Sequence, residues 1–84
     1  MKKISVLFVC LGNICRSPAA EAIFLNLIAE KGLSENFIVD SAGTGSWHVG
    51  NPADSRMKFA ALQRNIAILS SARQINKDDF DRFN

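Results

Sequence analysis

Ile4 to Val9 is an almost unbroken apolar run rich in β-branched residues, and it leads directly into Cys10-Leu11-Gly12-Asn13-Ile14-Cys15-Arg16-Ser17. A run this short and continuous reads as a central parallel strand buried on both faces. It falls far short of the roughly 20 residues that a membrane span needs. After the loop, Ser17 suits an N-cap and Pro18 the first helical position. Ala20, Ile23, Phe24, Leu27 and Ile28 then recur at helical spacing up to Gly32, which is placed to end the helix at C′. Phe37 to Ser41 predicts a second strand, so the chain opens as a strand, helix, strand unit with a right-handed crossover. The fold class is therefore α/β with a parallel sheet.

Farther on, Thr44 to Val49 is a Gly- and Ser-rich loop. Asn51-Pro52-Ala53-Asp54 has the form of an N-cap, a proline at the first position and an acid at the third, predicting a helix to about Arg64. Asn65 can take the left-handed conformation that closes a helix, and Asn76-Lys77-Asp78-Asp79 opens a third, short one with Asp81 among its early acids. There is no repeat, linker or low-complexity segment, so the 84 residues form one unit at most. Two parallel strands leave a sheet edge and a face uncovered, and the unit reads as unfinished.

Composition removes several classes of function. With 48% apolar and 21% charged residues the chain is built to fold, and a net charge of +2 spread along it makes no basic stripe for nucleic acid. Lys2 and Lys3 imitate a signal peptide, but Gly12, Asn13 and Arg16 interrupt it, so the expected location is cytoplasmic, with no membrane segment. Two cysteines five residues apart are neither a disulfide framework nor, without further Cys or His, a zinc site. They read as reactive thiols in a reducing compartment.

The loop itself carries chemistry. A phosphoryl group offers three anionic oxygens, and converging backbone N–H groups at a helix N-terminus bind such a group well. Gly12 lets the backbone bend, Asn13 tolerates a left-handed conformation and can brace the loop, and the helix behind points its positive end inward. Cys10, at the end of the strand, is the candidate nucleophile, its thiol favoured as thiolate by that field and by the guanidinium of Arg16. Arg16 can hold two phosphate oxygens in its planar fork. A cysteine ending a strand is usually an inert small apolar residue. Here Cys and Arg bracket five loop residues containing Gly-Asn at a strand-to-helix junction, which burial does not explain.

At these residues the sequence closely resembles the low-molecular-weight protein tyrosine phosphatases, whose signature is Cys, five residues, Arg, Ser. The likeness runs from Val6 through Pro18, then through Asp40-Ser41-Ala42-Gly43, Trp47, Val49-Gly50, Pro52-Ala53-Asp54, Ala72-Arg73-Gln74-Ile75 and Asp79-Phe80. It implies the parallel-sheet, three-layer fold of that family, here as its N-terminal portion. It also implies hydrolysis of phosphotyrosine or aryl phosphates through a phosphocysteine on Cys10, with no metal or cofactor. By the same resemblance Arg16 binds phosphoryl oxygens, Ser17 donates to the Cys10 sulfur, and Asn13 and Ser41 brace the loop. Leu11, Gly12, Asn13, Ile14 and Cys15 form the cradle for substrate or for inorganic phosphate or sulfate. Cys15 would trap an oxidised Cys10 as a disulfide. Trp47 matches an aromatic wall for the substrate ring, with His48 beside it at a specificity position. Taken alone, Trp47 reads as core or partly buried surface and His48 as a solvated loop residue.

The likeness has breaks. Asn65 stands where the family has Gly, and Ser70 where several members have a loop-bracing His. Members run to about twice this length and carry a later Asp-Pro-Tyr loop that supplies the general acid, whereas this chain contains no Tyr. The expectation is a phosphatase whose turnover is weak in this chain. The alternatives are an arsenate reductase on the same scaffold and a non-enzymatic anion-binding fragment that self-associates through its exposed sheet edge.

Overall fold

The computed structural model describes residues 3–83, so Lys2 of the imitation signal and the terminal Asn84 lie outside it. In chain order the elements are β1 (Ile4–Cys10), α1 (Arg16–Glu30), a 3₁₀ turn (Ser34–Asn36), β2 (Phe37–Gly43), α2 (Ser55–Leu62) and α3 (Lys77–Arg82). The strands pair in parallel, from Ile4 opposite Phe37 to Cys10 opposite Gly43, and α1 makes the crossover between them. Both strands run longer than their apolar letters, because the pairing carries Cys10 and Gly43 into the ladder.

Helix α1 covers one face of this pair. Phe24 packs edge-on against Phe8 at 5.8 Å and against Phe37 at 5.3 Å, fixing the helix across both strands. Its end follows the glycine signal: Gly32 has φ +69°, and the Leu33 N–H reaches back 2.7 Å to the Ile28 carbonyl. The apolar stripe is only partly used. Ile28 is buried and Phe24 half-buried, but Ile23 and Leu27 stay 53% and 44% exposed, while Ala22 is buried instead. The reason is lateral packing: Ala22 joins Ala53 and Ile68 in a cluster flanked by Ala19, Met57, Ala61 and Ile66.

Burial of β1 on both faces is not observed. Ile4 and Val9 are 51% and 45% exposed, since β2 is the one strand beside it among the described residues and α1 covers one face. The second helix also starts later than Asn51. Asp54 is its N-cap, accepting from the Met57 N–H at 3.2 Å, while Pro52 forms an antiparallel bridge with Ser71. Asn65, at φ +62°, turns the chain after α2 as expected, and α3 begins at Asn76 with a reciprocal capping box to Asp79. Asp78 and Asp79 lie in the first turn of α3, with Asp81 beyond it.

Candidate active site

Strand β1 delivers Cys10 to its C-terminal end and α1 starts at Arg16, leaving five residues to make the turn. Asn13 takes φ +57°, a conformation open to few residues other than glycine. The N-cap of α1 is Cys15, with no side-chain cap bond, so Ser17 and Pro18 sit at the second and third helical positions rather than at the cap and the first. Pro18 is tolerated there because its missing N–H belongs to the unpaired first turn. Ser17, released from capping, is buried with its Oγ 2.9 Å from the Cys10 sulfur.

The direction of that bond follows from its neighbours. The Arg73 N–H donates to Asn13 Oδ1 at 2.9 Å, which turns Asn13 Nδ2 toward Ser17 Oγ at 2.8 Å and Ser41 Oγ at 3.0 Å. Ser17 Oγ accepts from the amide, and the Cys10 sulfur is the acceptor left for its own hydrogen among the described residues. The Asn13 N–H also points at the sulfur, at 3.2 Å. Burial pushes the Cys10 thiol up, but the Ser17 hydroxyl and the N–H groups of Ser17, Asn13 and Gly12 together outweigh it, and the thiol lies below its ordinary value. Arg16 was expected to share in this. Its side chain is exposed at the first position of α1 and makes no ion pair among the described residues, and the causes that lower the thiol are the Ser17 hydroxyl and the loop N–H groups.

Ser41, at the inner end of β2, completes the bracing: buried, it accepts from Asn13 and donates to Glu21 Oε1. Burial, then the charge of Asp40, raises the Glu21 carboxyl, while Ser41 and Arg73 lower it less, so it lies above the usual carboxylate value. A groove of about 480 Å³ between α1 and residues 65–70 has Glu21 in its wall and none of residues 10–17. Binding at the loop would therefore use a shallow cradle of N–H groups rather than this groove.

Gly43, the last residue of β2, abuts the loop directly. A Cβ there would lie 2.9 Å from the Leu11 carbonyl oxygen and 3.0 Å from the Asn13 nitrogen, so only glycine lets β2 end against the loop. At Gly12 the space a Cβ would take is bordered by the His48 ring, 2.8 Å away, a side chain rather than backbone. The segment after Gly43 is tied to the loop through the Thr44 and Gly45 N–H groups, which donate to the Cys10 and Leu11 carbonyls at 2.9 and 2.8 Å. This brings half-buried His48 over Gly12. Trp47 stands beside it, 64% exposed, with ring centroids 6.2 Å apart. Such an exposed indole can stack on an aryl ring.

Ile14 is held by its carbonyl, which accepts from the Asp54 N–H, and Leu11 is 60% exposed. Cys15 is a half-buried free thiol in the same loop as Cys10, also free. No group of three metal-ligating side chains occurs among the described residues, and none of their helices is long and apolar enough to cross a membrane.

The family model described as low molecular weight phosphotyrosine protein phosphatase matches residues 5–84. The human protein of that name is 52% identical over 79 residues, covering 94% of this chain and 50% of its own length. The crystal structure of YfkJ from Bacillus subtilis superposes with a TM-score of 0.95 at 50% identity, over 99% of this chain and 53% of that one. A Synechococcus protein described as uncharacterized, in the rpcF 3′ region, is 69% identical over 61 residues, 73% of this chain and 94% of its own length. The chain thus spans about half the length of the human and Bacillus relatives, and residues 5–84 place it in the low molecular weight phosphotyrosine protein phosphatase family.

Proposed function

We propose that these residues form the N-terminal part of a single phosphatase domain that binds the phosphoryl group of phosphotyrosine or another aryl phosphate in the 10–17 loop. The observation that carries this reading is the Cys10 sulfur surrounded by the Ser17 hydroxyl and loop N–H groups, which favour a thiolate at the base of an anion cradle. The thiolate attacks phosphorus, an S–P bond forms, and the P–O bond to the aryl group breaks with its electron pair leaving on the phenolate. Arg16 spans the phosphoryl oxygens as charge spreads in the transition state, and Trp47 stacks on the ring. Water then cleaves the S–P bond, giving inorganic phosphate and the free thiolate. The reactive thiols fit a reducing, cytoplasmic setting.

A tyrosine phenolate needs a proton as it leaves. Asp40 and Asp79 are tied to Arg73, Asp54 caps α2, and Glu21 accepts from Ser41. None of these carboxyls bonds directly to the Cys10 sulfur or to the Ser17 and Asn13 groups that donate to it. We assign the general acid to none of them, so in this chain substrates with good leaving groups are favoured over phosphotyrosine by about 10²- to 10⁴-fold. Hydrolysis of p-nitrophenyl phosphate tests the reading. Cys10→Ser should abolish it while retaining phosphate binding, and full activity in Cys10→Ser contradicts it.

A further inference from the structure

Arg73 and Asp79 form, with Asp40 and Arg82, the most densely bonded ionic cluster in the described structure. Arg73 Nε donates to Asp40 Oδ2 at 3.0 Å, and Nη1 and Nη2 donate to the two Asp79 oxygens at 3.0 and 2.9 Å. Asp79 is 1% exposed and also accepts from the Asn76 N–H and Arg82 Nη2, both at 2.8 Å. The Arg73 side chain is thereby clamped between β2 and α3.

Its backbone faces the loop. The Arg73 N–H donates to Asn13 Oδ1, and its carbonyl accepts from Gly43, the residue on which the loop rests. An amide side chain is nearly symmetric in shape, and its oxygen and nitrogen sides are told apart only by their partners. With the Arg73 N–H in place, the oxygen side is fixed and both Nδ2 hydrogens go to Ser17 and Ser41. Ser17 is then left to donate to Cys10.

We propose that Asp79 is a positioning residue for the nucleophile: by clamping Arg73 it fixes the orientation of the Asn13 amide, and so directs the Ser17 hydroxyl at the Cys10 sulfur. This rests on Cys10 being the nucleophile. It also separates the roles of the cluster's two arginines, since Arg82 is 59% exposed at its side chain and touches Asp79 without reaching the loop.

The test is the pH dependence of Cys10 alkylation by iodoacetamide, resolved from Cys15 by tandem mass spectrometry, in the native chain and in Asp79→Asn, Arg73→Lys and Arg82→Ala. Asp79→Asn and Arg73→Lys should move the Cys10 profile to higher pH and slow alkylation below its midpoint by about fivefold, the loss of one ordinary hydrogen bond. Arg82→Ala should leave the profile in place. Asp79→Asn or Arg73→Lys that folds with an unchanged profile overturns the proposal. Should both fail to fold, hydrogen exchange in the native chain decides: a protected Arg73 N–H and Asn13 side-chain amide support it, and rapid exchange of both overturns it. An ordinary thiol profile in the native chain would instead remove the nucleophile reading on which the proposal stands.

Discussion

The Ser17 hydroxyl oxygen, in the first turn of α1, lies 2.9 Å from the Cys10 sulfur at the end of β1. A hydrogen bond to a charged acceptor contributes about 1.5 to 3 kcal/mol. Ser17→Ala should therefore cut p-nitrophenyl phosphate hydrolysis by tenfold or more, on the order expected for that bond, and shift Cys10 alkylation to higher pH. An unchanged alkylation profile would show that the hydroxyl does not serve the thiolate.

Gly43 has no room for a side chain, because the obstacles are the Leu11 carbonyl and the Asn13 nitrogen rather than flexible groups. Gly43→Ala must push the loop away from β2. We expect a loss of about 1 to 3 kcal/mol in stability, read by urea unfolding, together with weaker phosphate binding. Wild-type stability and binding would mean that the strand end and the loop do not bear on each other.

Glu21 gives a pH signature. Its carboxyl lies above its ordinary value of 4.5, chiefly through burial, so the folded state disfavours the ionised form. That cost is absent below the unfolded value and fully present above the folded one. Glu21→Gln keeps an acceptor for Ser41 and removes the charge facing Asp40. The variant should melt higher than wild type at pH 7, with the difference closing below about pH 4. A lower melting temperature at pH 7 contradicts this sign. Asp79 behaves in the opposite way: Arg73, then the Asn76 N–H and Arg82, hold its carboxyl well below the usual range. Its contribution is present above the unfolded value and is lost as pH falls toward the folded one.

Trp47 is 64% exposed, so its indole is not packed into the core. Trp47→Ala should raise KM for aryl phosphates by about threefold to tenfold, the range of one aromatic pair, and leave Cys10 alkylation unaltered. An equal effect on an alkyl phosphate would argue against stacking.

Much of this arrangement was legible in the sequence, for identifiable reasons. The unbroken run of β1, Gly32 at the end of α1 and the Asn76 box of α3 are local signals, set by the residues that carry them. Ser17 and Asn51 misled as caps because their favoured local role gave way to tertiary partners: the Cys10 sulfur for Ser17, and for Asn51 a carbonyl bonded by Ala72. Arg73 acts on Asn13 through a backbone N–H sixty positions along the chain, and Glu21 meets Ser41 only through the crossover of α1. No spacing rule reports such pairs. Burial of β1 was overestimated because its apolar residues specify a strand with neighbours on both sides, and β2 supplies one.

Trapping the covalent intermediate tests the central claim most directly. The protein is mixed with p-nitrophenyl phosphate, quenched in acid within a single turnover, digested, and the peptide holding Cys10 is mapped by mass spectrometry. Expected is one phosphoryl group on the Cys10 sulfur, formed together with one equivalent of p-nitrophenolate and absent in Cys10→Ser. Release of p-nitrophenolate with no phosphate on Cys10, or at an undiminished rate in Cys10→Ser, would contradict it.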